Sequence, residues 1–293
     1  MENFGQLGSP VLFGLIGWLL GVVVNWLSDQ LPFVGLKRQL DSDSDEQQAF
    51  RSKLGSPRCN HCGRTYGIVE YSGLLAYVTG KRKCNNCKQH RSFRDVIVEL
   101  FLIAGTIYIM LTIQPIGVAI ALSFYLVAFT LICVIDVEHR WVLNFVVFPL
   151  VAIVIIESLI SGRVTPEQWQ SRLAGFAVGQ IVVTGIYLFG ELYLWNLNRR
   201  RKEPVTEVAF GSGDITLATL SGLILGTPNI VYSLILMMAL GLVLIPIYLG
   251  GQLIKGKGLK SNVPIAYGPA ILASCMAMLL WPEQVVTLMY GGR

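Results

Sequence analysis

Two aspartates and four cysteines are the residues of this 293-residue chain whose types and surroundings point to chemistry. Asp214 closes the stretch Phe210-Gly211-Ser212-Gly213-Asp214 and stands at the mouth of an apolar segment running from Ile215 to Leu225. A carboxylate at such a boundary is costly and usually has a task. The two glycines before it let the backbone pass close to another segment. Taken alone, Asp214 reads equally as a helix cap that accepts amide hydrogen bonds near Thr216 and is favoured by the helix dipole. Asp136 holds the matching place in Cys133-Val-Ile-Asp136-Val-Glu138-His139-Arg140-Trp141. Its plain reading is a polar residue in a tight loop. A second boundary acid on the same side of the layout derived below favours a shared role for the two.

The cysteines form two knuckles, Cys59-Asn-His-Cys62-Gly63 and Cys84-Asn-Asn-Cys87-Lys88, with 21 residues between Cys62 and Cys84. That spacing lets four thiolates close tetrahedrally on one zinc ion, and the Gly or Lys after each second cysteine suits a tight turn. A disulfide pair is the competing reading, but a reducing cytoplasm disfavours it. With four thiolates in place, His61 is redundant and no position stays open for water, so the zinc is expected to be structural. It would clamp a module of roughly 40 residues, too small for a core of its own. The interval from Arg64 to Lys83, with Tyr66, Tyr71 and Tyr77, reads as a short hairpin, either a passive platform or a surface that holds substrate or cofactor. Cys133 and Cys275 lie in apolar runs and read as small core residues.

The elements that must position these groups are membrane helices. Hydrophobic residues make up 53% of the chain and charged residues 14%, in blocks of spanning length. The expected fold is an all-α polytopic membrane protein of about eight transmembrane helices, near 10–27, 95–113, 116–135, 142–160, 173–195, 213–226, 228–250 and 265–281. A small cytoplasmic zinc-binding domain is inserted between the first and second. The domains read as residues 1–32, the first helix; 33–94, the zinc domain with its acidic run; and 95–293, the catalytic membrane domain. The first block lacks a basic flank and a cleavage site, so it is expected to be retained. Threading eight helices puts 20 of the 23 basic residues on one side, which is then cytoplasmic, with both termini outside. The net charge of +5 is met by anionic lipid and calls for no nucleic acid.

Other polar residues on these helices have plain readings. Asn25 is expected to hydrogen-bond between helices. Glu99, one turn inside its helix, either snorkels or faces the interior, and Glu157 and Glu191 pose the same question nearer helix ends. The run Asp41-Ser-Asp-Ser-Asp45-Glu46 reads as a solvated loop. Val263-Pro264-Ile-Ala-Tyr267-Gly268-Pro269 has the irregular backbone of a cavity wall.

In combination these residues resemble the prepilin peptidase family of membrane aspartyl proteases. The resemblance rests on Gly21, Asn25, Leu31 and Pro32; the doubled Cys-x-x-Cys; Val98-Glu99-Leu100; Asp136 with Val142-Leu143-Asn144; Gly211-x-Gly213-Asp214; and Pro264-x-x-Tyr267-Gly268-Pro269. It implies that Asp136 and Asp214 are a catalytic pair, one acid and one base. Gly211, Gly213, Pro264, Tyr267, Gly268 and Pro269 would then form the active-site loops. Implied substrates are pilin or pseudopilin precursors, with a basic leader and a hydrophobic helix, cut at the cytoplasmic face of the bacterial inner membrane. Retention of Cys59, Cys62, Cys84 and Cys87 implies the bifunctional form, which methylates the new amino terminus with S-adenosylmethionine. Glu99 and Asn25 are carried over as supporting or methyltransferase residues. The chain departs from the family in having Thr216 where a Lys is common, Asp95-Val96 for Tyr-Pro, and Leu143-Asn144 for Pro-Asp. Two rival readings are a non-catalytic scaffold of the secretion machinery and a transporter with Asp214 as coupling acid, for which no inverted repeat is visible.

Overall fold

The computed structural model describes residues 9–37, 57–59, 62–160, 165–199, 211–254 and 266–291. The expectations for the acidic run 41–46, for His61 and for Pro264 fall outside these residues, as does the side chain of Glu157.

Each apolar segment picked out in the sequence is a helix. In chain order the helices are α1 (Ser9–Lys37), α2 (Gly73–Val78), α3 (Arg94–Thr112), α4 (Ile116–His139), α5 (Asn144–Ile160), α6 (Pro166–Asn198), α7 (Ser212–Leu225), α8 (Asn229–Ile254), α9 (Gly268–Leu280) and α10 (Pro282–Tyr290), with a 3-10 turn at Ile68–Glu70. Among the described residues, α1, α3, α4 and α6 are long and apolar enough to cross a membrane, and α9 with α10, bent by 107° at Trp281, makes a fifth candidate. Eight spans are thus not confirmed: each expected segment is helical, but among the described residues four helices, or five with the bent pair, qualify. The shortfall has a plain cause in α7: its 14 residues rise about 21 Å, short of a hydrocarbon core of about 30 Å.

The interval between the knuckles also departs from expectation. It is helical, not a hairpin. Ser72 explains this: its backbone is extended and its hydroxyl accepts the Leu75 amide at 3.1 Å, a side-chain cap that starts α2.

The chain divides into two compact units, Met1–Ile135 and Asp136–Arg293. In the first, α1 lies against α3 through Gly17 and Gly21. A Cβ on Gly17 would sit 2.6 Å from the Leu102 carbonyl oxygen, and one on Gly21 would sit 2.8 Å from the Glu99 Cα. In the second, Gly175 and Gly179 of α6 meet the backbone of Gly222 and Ala218 of α7. Small residues let membrane helices approach backbone to backbone, where packing must replace the hydrophobic drive that lipid cannot supply. The two crossings therefore hold α3, which carries Glu99, against α1, and α7, which carries Asp214, against α6. Deeper in the second unit, Ser233 of α8 and Ser274 of α9 share a buried hydrogen bond of 3.0 Å.

A carboxylate pair and a four-cysteine cluster

Asp136 ends an apolar helix and Asp214 begins one, yet both are buried, with 5% and 8% of their surface exposed. Asp214 sits in the first turn of α7 and its Oδ2 accepts the Gly211 amide at 2.9 Å. The capping role open at the sequence level therefore exists, but it runs backward to Gly211. Asp136 Oδ2 accepts the Gly268 amide at 3.1 Å, across 132 residues of chain. The two carboxylates are near enough for the charge of one to act on the other. Tyr267 lies within the same reach of Asp214. Residues 267–268 thus run past both acids.

Glycine is required at two of these positions for room. A Cβ on Gly268 would run into Asp136 Oδ2 and lie 3.2 Å from Leu217 Cδ1 of α7. One on Gly213 would come within 2.6 Å of Val142 Cγ2. Tyr267 in turn rests on Gly241 of α8, where a Cβ would be 2.6 Å from the phenol oxygen. Pro269 is half-buried in the first turn of α9, Gly211 is exposed, and Pro264 lies outside the described residues. Thr216 is half-buried, with its hydroxyl donating to the Ser212 carbonyl at 3.2 Å. Val142, Leu217 and Gly241 are the contacts that sequence reasoning missed. Val142 was visible as part of a motif; the other two are ordinary residues of apolar helices.

In the first unit, Cys59, Cys62, Cys84 and Cys87 bring their sulfurs within 4.8 Å of one another. Two of the separations, Cys59 to Cys87 and Cys62 to Cys84, are 3.6 Å. Zinc at about 2.3 Å from each of four sulfurs needs sulfur–sulfur edges of roughly 3.8 Å, so the cluster fits a tetrahedral ion. The knuckles are built alike. Gly63 and Lys88 donate their amides to the Cys59 and Cys84 carbonyls at 2.9 Å, with φ of +69° and +58°. Bridges Arg58 to Thr65 and Lys83 to His90 close each loop. Amides of Cys87 and Asn86 aimed at Cys84 lower its thiol to about 6. At Cys87 the Gln89 amide also favours the thiolate, but burial and the other sulfurs outweigh it and push the thiol to about 12. Thiolates at such separations repel one another, and a dication among them would offset that repulsion.

Glu99 faces the interior. It is fully buried and accepts hydrogen bonds from the Gly73 amide (2.7 Å), the Leu74 amide (3.1 Å), Ser72 Oγ (2.5 Å), Trp18 Nε1 (3.2 Å) and Asn25 Nδ2 (3.3 Å). Asn25 also donates to the Asp95 carbonyl at 3.0 Å, as expected of an amide between helices.

Comparison with known proteins gives two matches along the chain. A profile described as "Type IV leader peptidase family" matches residues 122–246, and one described as "Bacterial Peptidase A24 N-terminal domain" matches residues 15–113. The chain belongs to the type IV leader peptidase family. As a member of this peptidase family it is an enzyme. Both aspartates fall within the first match, and the four cysteines and Glu99 within the second. The chain is 25% identical to a prepilin leader peptidase/N-methyltransferase of Stutzerimonas stutzeri, over 94% of this chain and 93% of that protein. It is 25% identical to one from Pseudomonas aeruginosa, over 94% and 90%. A type 4 prepilin-like proteins leader peptide-processing enzyme of Escherichia coli is 31% identical over 45% of this chain and half of that protein. No solved structure matches the chain significantly.

Proposed function

We propose that this peptidase cuts the leader from type IV prepilin-like precursors at the cytoplasmic face of a bacterial inner membrane, with Asp136 and Asp214 as its catalytic pair. The observation that carries the proposal is the pair itself: two buried carboxylates, Asp214 within the field of Asp136, each accepting one backbone amide among the described residues. Each keeps lone pairs unspent for a substrate or a water. One, ionised, takes a proton from a water whose oxygen attacks the scissile carbonyl carbon. The other, protonated, steadies the oxyanion and gives a proton to the leaving amine as the carbon–nitrogen bond breaks. The protons belong to the pair, so the two roles are not divided between the residues. Eight spans, with both termini outside and the cysteine module cytoplasmic, put both acids at the level where a leader enters the membrane.

Cys59, Cys62, Cys84 and Cys87 would hold a structural zinc ion that closes the module. Zinc should be found at one ion per chain, and Cys→Ser changes at all four should remove it and lower thermal stability.

The names of the relatives extend the proposal to N-methylation of the new amino terminus from S-adenosylmethionine. Neither of two hollows in the module fits that donor: one of about 220 Å³ is lined by Arg82, His90 and Arg91 beside Tyr77 and Phe93, with no carboxylate, and one of about 240 Å³ is lined by Arg64, Lys81 and Glu70, whose carboxylate already pairs with Arg64 at 3.2 Å. A sulfonium ion would meet cations there. No step is derived through the donor. Incubating purified enzyme with a leader-bearing peptide and isotope-labelled S-adenosylmethionine, then reading product masses, tests both activities. The expected product is the shortened peptide carrying one labelled methyl group; an intact peptide defeats the peptidase reading, and an unlabelled product defeats the methylation.

A further inference from the structure

Glu99 differs from the two aspartates in having no acceptor capacity to spare. A carboxylate offers about four lone-pair sites, and five donors converge on this one: Asn25 Nδ2 and the Gly73 amide on Oε1, Trp18 Nε1, Ser72 Oγ and the Leu74 amide on Oε2. Such an oxygen set is spent on structure and cannot serve as a base. The donors come from three places. Trp18 and Asn25 belong to α1, Ser72 to Leu74 are the cap and first residues of α2 inside the cysteine module, and Glu99 itself is on α3. A second strap lies one turn away. Arg91 pairs with Asp95 of α3 at 2.6 Å while its other nitrogens reach the Glu70 and Tyr71 carbonyls of the module.

We infer that Glu99 is a positioning residue, the joint that fixes the four-cysteine module on the α1–α3 pair, so that its loss frees the module without emptying the metal cluster. The knuckles are closed by their own amides and bridges, none of which involves Glu99. The functional arm of the test rests on the methylation proposed above; the structural arm does not. Gln at position 99 keeps the shape but turns an NH2 group toward two or three of the five donors, whichever way the amide is placed. Asp keeps the charge but withdraws it by one methylene.

The experiment uses zinc-loaded full-length enzyme in detergent or nanodiscs, as wild type, Glu99→Gln, Glu99→Asp and Trp18→Phe. Zinc content, hydrogen exchange of the amides from Gly73 to Val78, precursor cleavage and amino-terminal methylation are read on each. The inference predicts that Glu99→Gln keeps one zinc per chain and cleavage within about threefold of wild type. Its exchange at 73–78 should rise about a hundredfold and its methylation fall tenfold or more. Glu99→Asp and Trp18→Phe should fall between it and wild type. Unchanged exchange at 73–78 in Glu99→Gln overturns the inference. So does loss of zinc together with faster exchange throughout Arg58 to His90, which would make Glu99 a general folding residue. Should Glu99→Gln not be obtained folded, unchanged exchange at 73–78 in Trp18→Phe and Glu99→Asp overturns it equally. If wild type does not methylate, that proposal fails on its own and the exchange result still decides the joint.

Discussion

A buried carboxylate is read by counting its donors. Among the described residues Asp136 and Asp214 each accept one hydrogen bond, from a backbone amide, whereas Glu99 accepts five, two of them from backbone amides. The first pattern leaves room for water; the second closes it off. Gly268 tests the first directly, since a Cβ there collides with Asp136 Oδ2. Gly268→Ala is expected to displace the carboxylate and reduce precursor cleavage about 100-fold, the scale associated with a misplacement of about 1 Å. Initial rates by mass spectrometry check it, and activity within threefold of wild type contradicts the assigned geometry. At the four-cysteine cluster the matching residues are Gly63 and Lys88, both left-handed. A side chain with a Cβ costs about 1–2 kcal/mol in that conformation. Gly63→Val should therefore speed zinc loss to a chelator, and Lys88→Gly should slow it.

At the scale of elements, the helix crossings are made by glycines facing backbone. Gly222 of α7 meets Gly175 of α6 so closely that Gly222→Leu must part the two helices. A cost of about 1–3 kcal/mol is expected from the overpacking, read as a lower unfolding midpoint in detergent. Cleavage should fall too, because α7 carries Asp214 on its first turn. The crossings were not legible in the sequence, since nothing there says which glycine faces a neighbouring helix. Apolar blocks announced every long helix and the doubled Cys-x-x-Cys announced the cluster, because length and spacing encode those features, whereas Asp136 and Asp214, each readable alone as a loop or cap residue, stood out as a pair only through the family resemblance. The α2 helix was missed for the opposite reason: its stability comes from the Ser72 cap and from Glu99, which stands 27 residues away from that cap. The Glu99 joint was illegible for the same cause, since two of its five donors are backbone amides and so have no residue type. Leu217 and Gly241 stayed hidden because an apolar helix does not reveal which of its residues faces a site.

At the scale of the whole molecule, the composition of the chain and its long helices make a membrane protein, and basic residues give the proposed orientation. Single cysteines introduced at Ser44 and at Ser161, in a background retaining the native cysteine module, test that topology in intact cells. A membrane-impermeant maleimide should add a label at Ser161→Cys only, because residue 44 is placed in the cytoplasm and residue 161 outside. Extra labelling at Ser44→Cys contradicts the eight-span layout. It would leave the chemistry of the aspartates to be judged separately.

The central claim is that Asp136 and Asp214 together hydrolyse the leader bond. Its most direct test compares purified wild type with Asp136→Asn and Asp214→Asn acting on a leader-bearing precursor, with zinc content and thermal midpoint as controls for folding. General acid and base contributions of about 10²–10⁴-fold each predict that either substitution alone brings cleavage to or near the limit of detection while both controls hold. Cleavage at the wild-type rate by either variant contradicts the account.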